Sequence, residues 1–163
     1  LQARGCRQEM VLLAKGVHPP RCDPDLVGAE VERSLELLGT DRLDCFVLHR
    51  DRPDLPVQTW ADALLAEHAA GTVTTFGVSN WTTARTLELA LACDGRLVLS
   101  SNHLSLARMR QAPWDGCLAF DGADLDELRA AGIVLLPWST LAWPAGAEDG
   151  GGAKNSENSP GQT

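Results

Sequence analysis

Five short apolar runs recur along the chain at intervals of roughly 25–35 residues. They are Met10–Ala14, Cys45–Leu48, Val73–Val78, Leu97–Leu99 and Ile133–Leu136. Each is apolar at successive positions rather than alternating, as expected of strands in a parallel sheet covered on both faces. Helical patterns lie between them. Asp23 can cap a helix whose first position is Pro24, and Gly39 follows its end. Within it Leu26, Val27, Val31, Leu35 and Leu38 predict one apolar stripe, while Glu30, Glu32, Arg33 and Glu36 face water. A second helix is predicted from about Val57 to Ala70, stopping at Gly71. A third starts after Asn80, capped by Thr82 or Thr83, and runs to about Cys93. A fourth, weaker one spans Leu125–Ala131 and stops at Gly132.

Strands alternating with helices imply parallel pairing through right-handed crossovers. The pattern leaves two architectures open, a doubly wound open sheet and a (β/α)8 barrel. A full barrel needs about 250 residues, and this chain has 163. In a barrel, these would be about five of eight βα units, with bare edges on either side. Pro144–Thr163 is rich in Gly, Ala, Ser, Asn and Glu and shows no apolar periodicity. It is expected to be a disordered tail, leaving residues 1–143 as the folded part.

Composition narrows the class. A net charge of −8 argues against nucleic-acid and anionic-membrane partners, which need a basic face. No apolar run approaches the ~20 residues of a membrane span, and Leu1–Arg7 has no apolar signal region. Cys6, Cys22, Cys45, Cys93 and Cys117 are odd in number and widely spaced. They are expected to be reduced thiols of a cytoplasmic protein, without a zinc site. Asn80-Trp81-Thr82 matches a glycosylation acceptor, which has no weight without a secretory signal.

In parallel α/β folds, chemistry gathers at the carboxyl ends of strands. The apolar runs lead in turn into Lys15-Gly16, His49-Arg50-Asp51, Ser79-Asn80-Trp81, Ser100-Ser101-Asn102 and Trp138-Ser139-Thr140. Any one of these has a plain reading as a solvated lysine or a satisfied histidine; five in register are expected to line one rim. His18, His68 and His103 lie far apart, with no metal-ligand spacing, and His68 is expected at a helix boundary. Asp51 and Asp54 flank prolines and are expected to serve a turn. His49-Arg50-Asp51 is not a kinase catalytic loop, because Pro56 stands where asparagine is required. Gly150–Lys154 lacks the spacing of a phosphate-binding loop.

Several segments resemble the aldo-keto reductase family. Leu13-Ala14-Lys15-Gly16 is similar to its lysine strand, and Leu35 to His49 (LELLGTDRLDCFVLH) to its stretch ending in histidine. Gly71 to Asn80 (GTVTTFGVSN) resembles the segment ending GVSN, and Leu136 to Ala142 (LPWSTLA) the segment Y-S-P-L-A. The resemblance covers about Gly5 to Ala142. It implies a TIM barrel, incomplete here at both ends, and hydride transfer between NADPH and a small-molecule carbonyl or alcohol. It assigns Lys15 and His49 to the proton side, the lysine lowering the pKa of a tyrosine acid. Ser79 and Asn80 match holders of the nicotinamide carboxamide. Ser101 stands where the family usually has a glutamine for that task. Trp138 matches the aromatic stacked on the nicotinamide, and Ser139 and Leu141 match positions near the pyrophosphate.

Two departures follow. The chain contains no tyrosine, and the family's basic segment for the adenosine 2′-phosphate has no counterpart. The main expectation is therefore part of an NADP-dependent aldo-keto reductase. A relative without catalysis, acting as a binding or interaction module, is one alternative. An α/β enzyme reusing Lys15 and His49 for other chemistry is another. Substrate and oligomeric state are not legible, and the loop His103–Phe120, including Trp114, could line a pocket or simply cover the surface.

Overall fold

A computed structural model describes residues 5–106 and 115–141 of the chain. Trp114, the expected tail from Pro144 onward and the terminal residues lie outside the described residues. After a 3-10 turn at Arg7–Glu9, the elements run β1 (Leu13–Gly16), α1 (Val27–Leu38), β2 (Leu43–Leu48), α2 (Val57–Ala69), β3 (Val73–Ser79), α3 (Thr83–Ala92), β4 (Leu97–Ser101), α4 (Gly122–Ala130) and β5 (Val134–Leu135). All four pairings are parallel, and the strands lie side by side in chain order. A doubly wound sheet reverses its order at a switch point; this one does not, and its order is that of a barrel arc.

Local chemistry sets the helix limits. Asp23 Oδ1 accepts from the Asp25 amide at 3.1 Å, and a 3-10 turn over Pro24–Leu26 leads into α1. Gly39 ends α1 with φ +61, a left-handed conformation that favours glycine. Thr82, one of the two expected caps, receives the Arg85 amide at the start of α3. The fourth helix begins three residues earlier than the apolar pattern suggested. Asp121 and Asp124 form a reciprocal capping box that starts it at Gly122.

Alternation along the strands divides the core. Phe46, Leu48, Phe76 and Val78 are fully buried with Val27, Trp60, Leu64, Trp81 and Leu89 in the main cluster between sheet and helices. Cys45, Val47 and Leu99 form a smaller cluster on the other side. Close approach there explains Gly77: a methyl on its Cα would lie 3.0 Å from both Val47 and Leu99. Trp60 and Trp81 meet edge to face at 5.9 Å, the favoured aromatic geometry.

Two expectations need correction. Leu38 does not complete the stripe of α1; it is 41% exposed, while Val27 and Val31 carry the buried face. The first and last apolar runs are not covered on both faces either. Met10 and Val11 precede β1 and are exposed, as are Val134 and Leu136 at the other edge of the sheet. Both strands are sheet edges in this chain, so a pattern suited to an interior strand faces solvent. Four of the five cysteines, Cys22, Cys45, Cys93 and Cys117, are buried.

Candidate functional site

Parallel register brings the expected residues to one rim. Lys15 lies opposite Val47, which lies opposite Gly77, and Ser79 lies opposite Ser101. His49 follows β2, its amide donating to the Gly16 carbonyl at 2.9 Å. Lys15 Nζ reaches past β2 and donates to Ser79 Oγ at 2.9 Å. Ser79 Oγ donates onward to the Ser101 carbonyl at 2.7 Å, and Asn80 Nδ2 donates to Ser79 Oγ at 3.0 Å. Asn80 adopts φ +57, which asparagine tolerates better than most residues. That turn presents its amide nitrogen to Asn102 Oδ1 at 2.6 Å and its Oδ1 to the Leu118 amide at 3.2 Å.

Asn102 ties the rim together in a way the sequence pattern did not reveal. Its Nδ2 donates to the Trp81 carbonyl at 2.9 Å, and its own carbonyl accepts the Trp138 amide at 3.2 Å. The ends of β3, β4 and β5 are thereby fixed relative to one another. His103, next in sequence, is buried and meets the Trp138 ring edge-on at 4.9 Å. Bridges from His103 to Ala119 and Trp138 place the two described ends of this loop together at the rim. Ser139, with φ +56, and Leu141 lie exposed beyond Trp138.

His18 is a second residue that spacing along the chain could not find. Its ring centroid lies 4.3 Å from that of His49, edge to face. The preceding Val17 is buried with φ +61, an uncommon conformation for a β-branched residue and one that strained functional turns share. No cluster of three or more metal-ligating side chains occurs among the described residues. Asp51 does not serve a turn. It accepts two bonds from Arg85 at 2.6 and 3.0 Å, tying its loop to α3, and that guanidinium lies 5.3 Å above the Trp81 ring. Asp54 accepts from its near neighbour Arg52, and His68 is half-buried at the end of α2, as expected.

Electrostatics at the rim are cationic although the chain is acidic. Loss of water contact, and then repulsion from Arg50, hold Lys15 below the ordinary lysine range; the residue keeps solvent contact, which damps the shift. Burial, and then the charges of Lys15, His18 and Arg50, push the His49 imidazole down to about 4. His49 is therefore neutral at pH 7 and can donate or accept one hydrogen bond at each nitrogen. A depressed histidine pKa means that the unfolded chain binds the proton first. Stability is then highest above pH 6.5 and falls as pH drops from 6.5 towards 4, by roughly 2 kcal/mol after allowance for partial exposure. Urea unfolding at pH 7 and pH 5 measures this, and His49→Gln should flatten that part of the profile.

These strand-end residues sit on the fold of a known reductase family. The model of the aldo/keto reductase family matches residues 1–161, and the chain belongs to that family. Among particular relatives, it is 35% identical over 121 residues to oxidoreductase YdhF of Escherichia coli, covering 73% of this chain and 37% of that protein. It is 30% identical over 115 residues to 6-dehydroglucose reductase of Agrobacterium fabrum, covering 71% and 36%. The chain thus spans a little over a third of the length of these curated relatives. An aldo/keto reductase from Klebsiella pneumoniae, solved in complex with NADP and acetate, superposes with a TM-score of 0.61 at 26% identity, over 83% of this chain and 44% of that one. A Bombyx mori aldo-keto reductase solved in complex with NADP gives 0.68 at 19% identity, over 91% and 48%, a likeness of fold alone. The fold is that of an incomplete (β/α)8 barrel.

Proposed function

We propose that these residues form the lysine–histidine side and the nicotinamide floor of an NADP-dependent aldo-keto reductase site, acting on a small-molecule carbonyl or alcohol. The observation that carries this reading is the contact from Lys15 on β1 to Ser79 at the end of β3, with His49 just after the strand between them. It joins a proton-side group to a cofactor-side group in one hydrogen-bonded chain. Residues 1–143 are proposed as the barrel portion. Buried thiols fit work in the reducing cytoplasm, and among the described residues no helix is long and apolar enough to cross a membrane.

The residues present fit a flat, carboxamide-bearing ring. Asn80 Nδ2 has a second N–H beyond the one given to Ser79. Trp138, half-buried at the end of β5, can offer an aromatic face. Ser79, Asn80 and Trp138 would hold the nicotinamide, with Ser101 as a structural support through its carbonyl. Ser139 and Leu141, both exposed, would lie towards the phosphates. When bound, the cofactor supplies or accepts the hydride. His49, neutral, orients a carbonyl oxygen by hydrogen bonding. Lys15 holds positive charge near the oxygen on which negative charge develops. The chain contains no tyrosine, so of its own groups Lys15 is the one that stores a proton there. The test is NADPH oxidation in the presence of an aldehyde, followed by absorbance, for the protein and for Lys15→Met. Turnover lost in the variant supports the reading, and equal turnover contradicts it.

A further inference from the structure

Arg50, directly after His49, is only 7% exposed, yet it has no acidic partner among the described residues. Three carboxylates close to it in the fold or the sequence are committed elsewhere: Asp51 to Arg85, and Asp23 and Asp54 to Arg52. A guanidinium presents five N–H donors. One of its nitrogens donates to the His49 carbonyl at 3.2 Å, and another makes a long contact of 3.9 Å with Cys117 Sγ. The Cys22 thiol donates to the Arg50 carbonyl, not to its side chain. Gly116 lies against the guanidinium: a methyl on its Cα would meet Nε at 3.7 Å, an ordinary contact distance. Nε has no acceptor among the described residues.

Burying an unpaired cation is costly, and here it lies close enough to Lys15 and His49 to repel positive charge on both. Among the described residues no acidic side chain forms an ion pair at this position. Such an arrangement is relieved by an anion from outside. We propose that Arg50 is a specificity-determining anchor for a carboxylate on the substrate, so that the site takes carbonyl compounds bearing a carboxylate. The planar fork of the guanidinium matches the two oxygens of a carboxylate, while the neighbouring His49 is free to meet the carbonyl oxygen. This rests on the reductase reading for the fate of the carbonyl, but not for the binding itself.

The experiment compares binding of 4-formylbenzoate with that of its neutral isostere 4-formylbenzamide to the full chain at low salt, by calorimetry. The carboxylate is expected to bind about tenfold tighter, as one charge-assisted contact would give. Arg50→Gln should abolish that preference and Arg50→Lys should reduce it, with circular dichroism confirming the fold of each. Should the glutamine variant fail to fold, the lysine variant decides, because an ammonium cannot reproduce the fork. Equal binding of the two probes, or a preference that survives in the folded variants, overturns the proposal. Displacement of the carboxylate probe by inorganic pyrophosphate or NADPH also overturns it, because the anchor would then belong to the cofactor. If the preference holds but NADPH never binds, the reductase reading fails alone; if NADPH binds without the preference, this proposal fails alone.

Discussion

Phe46→Ala should destabilise the chain by about 3–5 kcal/mol, the range for removing a fully buried aromatic ring, measured as a drop in urea midpoint at unchanged slope. Phe46 is 0% exposed in the middle of β2. Its ring tip lies where a methyl on Gly16 would be, at 2.8 Å, and beside it on β3 stands Phe76, also fully buried. The ring thus fills the volume that Gly16 opens between β1 and α1. The same geometry makes Gly16→Ala an overpacking change, costing about 1–3 kcal/mol. The loss from Phe46→Ala also bears on function, because β2 carries His49 and separates Lys15 from Ser79. A variant that lost less than about 1 kcal/mol would show that the sheet does not pack as described.

Lys15→Met carries the other large effect. It keeps the length and apolar bulk of the side chain but removes the charge and the bond to Ser79 Oγ at 2.9 Å. Groups that supply or tune a proton in the transition state contribute about 10²–10⁴-fold in rate, so kcat for aldehyde reduction should fall by about a hundredfold or more. NADPH affinity should change little, because Ser79 keeps its bonds to the Ser101 carbonyl and to Asn80. A second consequence separates this from simple damage. Without the neighbouring ammonium, the His49 imidazole should titrate at higher pH than in the parent, since Lys15 is one of the charges holding it down. Histidine resonances followed by NMR against pH report that shift.

Much of this was legible in the sequence. Continuous apolar runs marked all five strands, and polar residues placed after them marked the rim, because a parallel sheet puts every strand's carboxyl end on one side. Lys15, His49, Ser79 and Asn80 do converge there. The pattern was silent where the decisive relation is across the chain rather than along it. His18 lies 31 positions from His49, and only the turn at Val17 brings the rings together. Asn102 and His103 follow a serine pair that drew attention to Ser101, yet they bind the ends of three strands and meet Trp138. Asp51 read as a turn residue because it precedes Pro53, whereas its partner Arg85 is on another helix. Edge exposure at Met10, Val11 and Val134 was hidden because an apolar run does not say whether a neighbouring strand is present.

On the proposed reading, the rim from Lys15 to Trp138 holds a nicotinamide cofactor. The most direct measurement is a titration of the chain with NADPH, following tryptophan emission, with Trp138→Ala alongside. Among the described tryptophans, Trp138 is half-buried at the rim whereas Trp60 and Trp81 are fully shut away in the core, so the part of the quenching that the variant removes reports on the rim. Saturable quenching in the micromolar range is expected, lost or greatly weakened in Trp138→Ala. A folded chain that shows no saturable quenching, or one in which the variant binds as tightly as the parent, would contradict it.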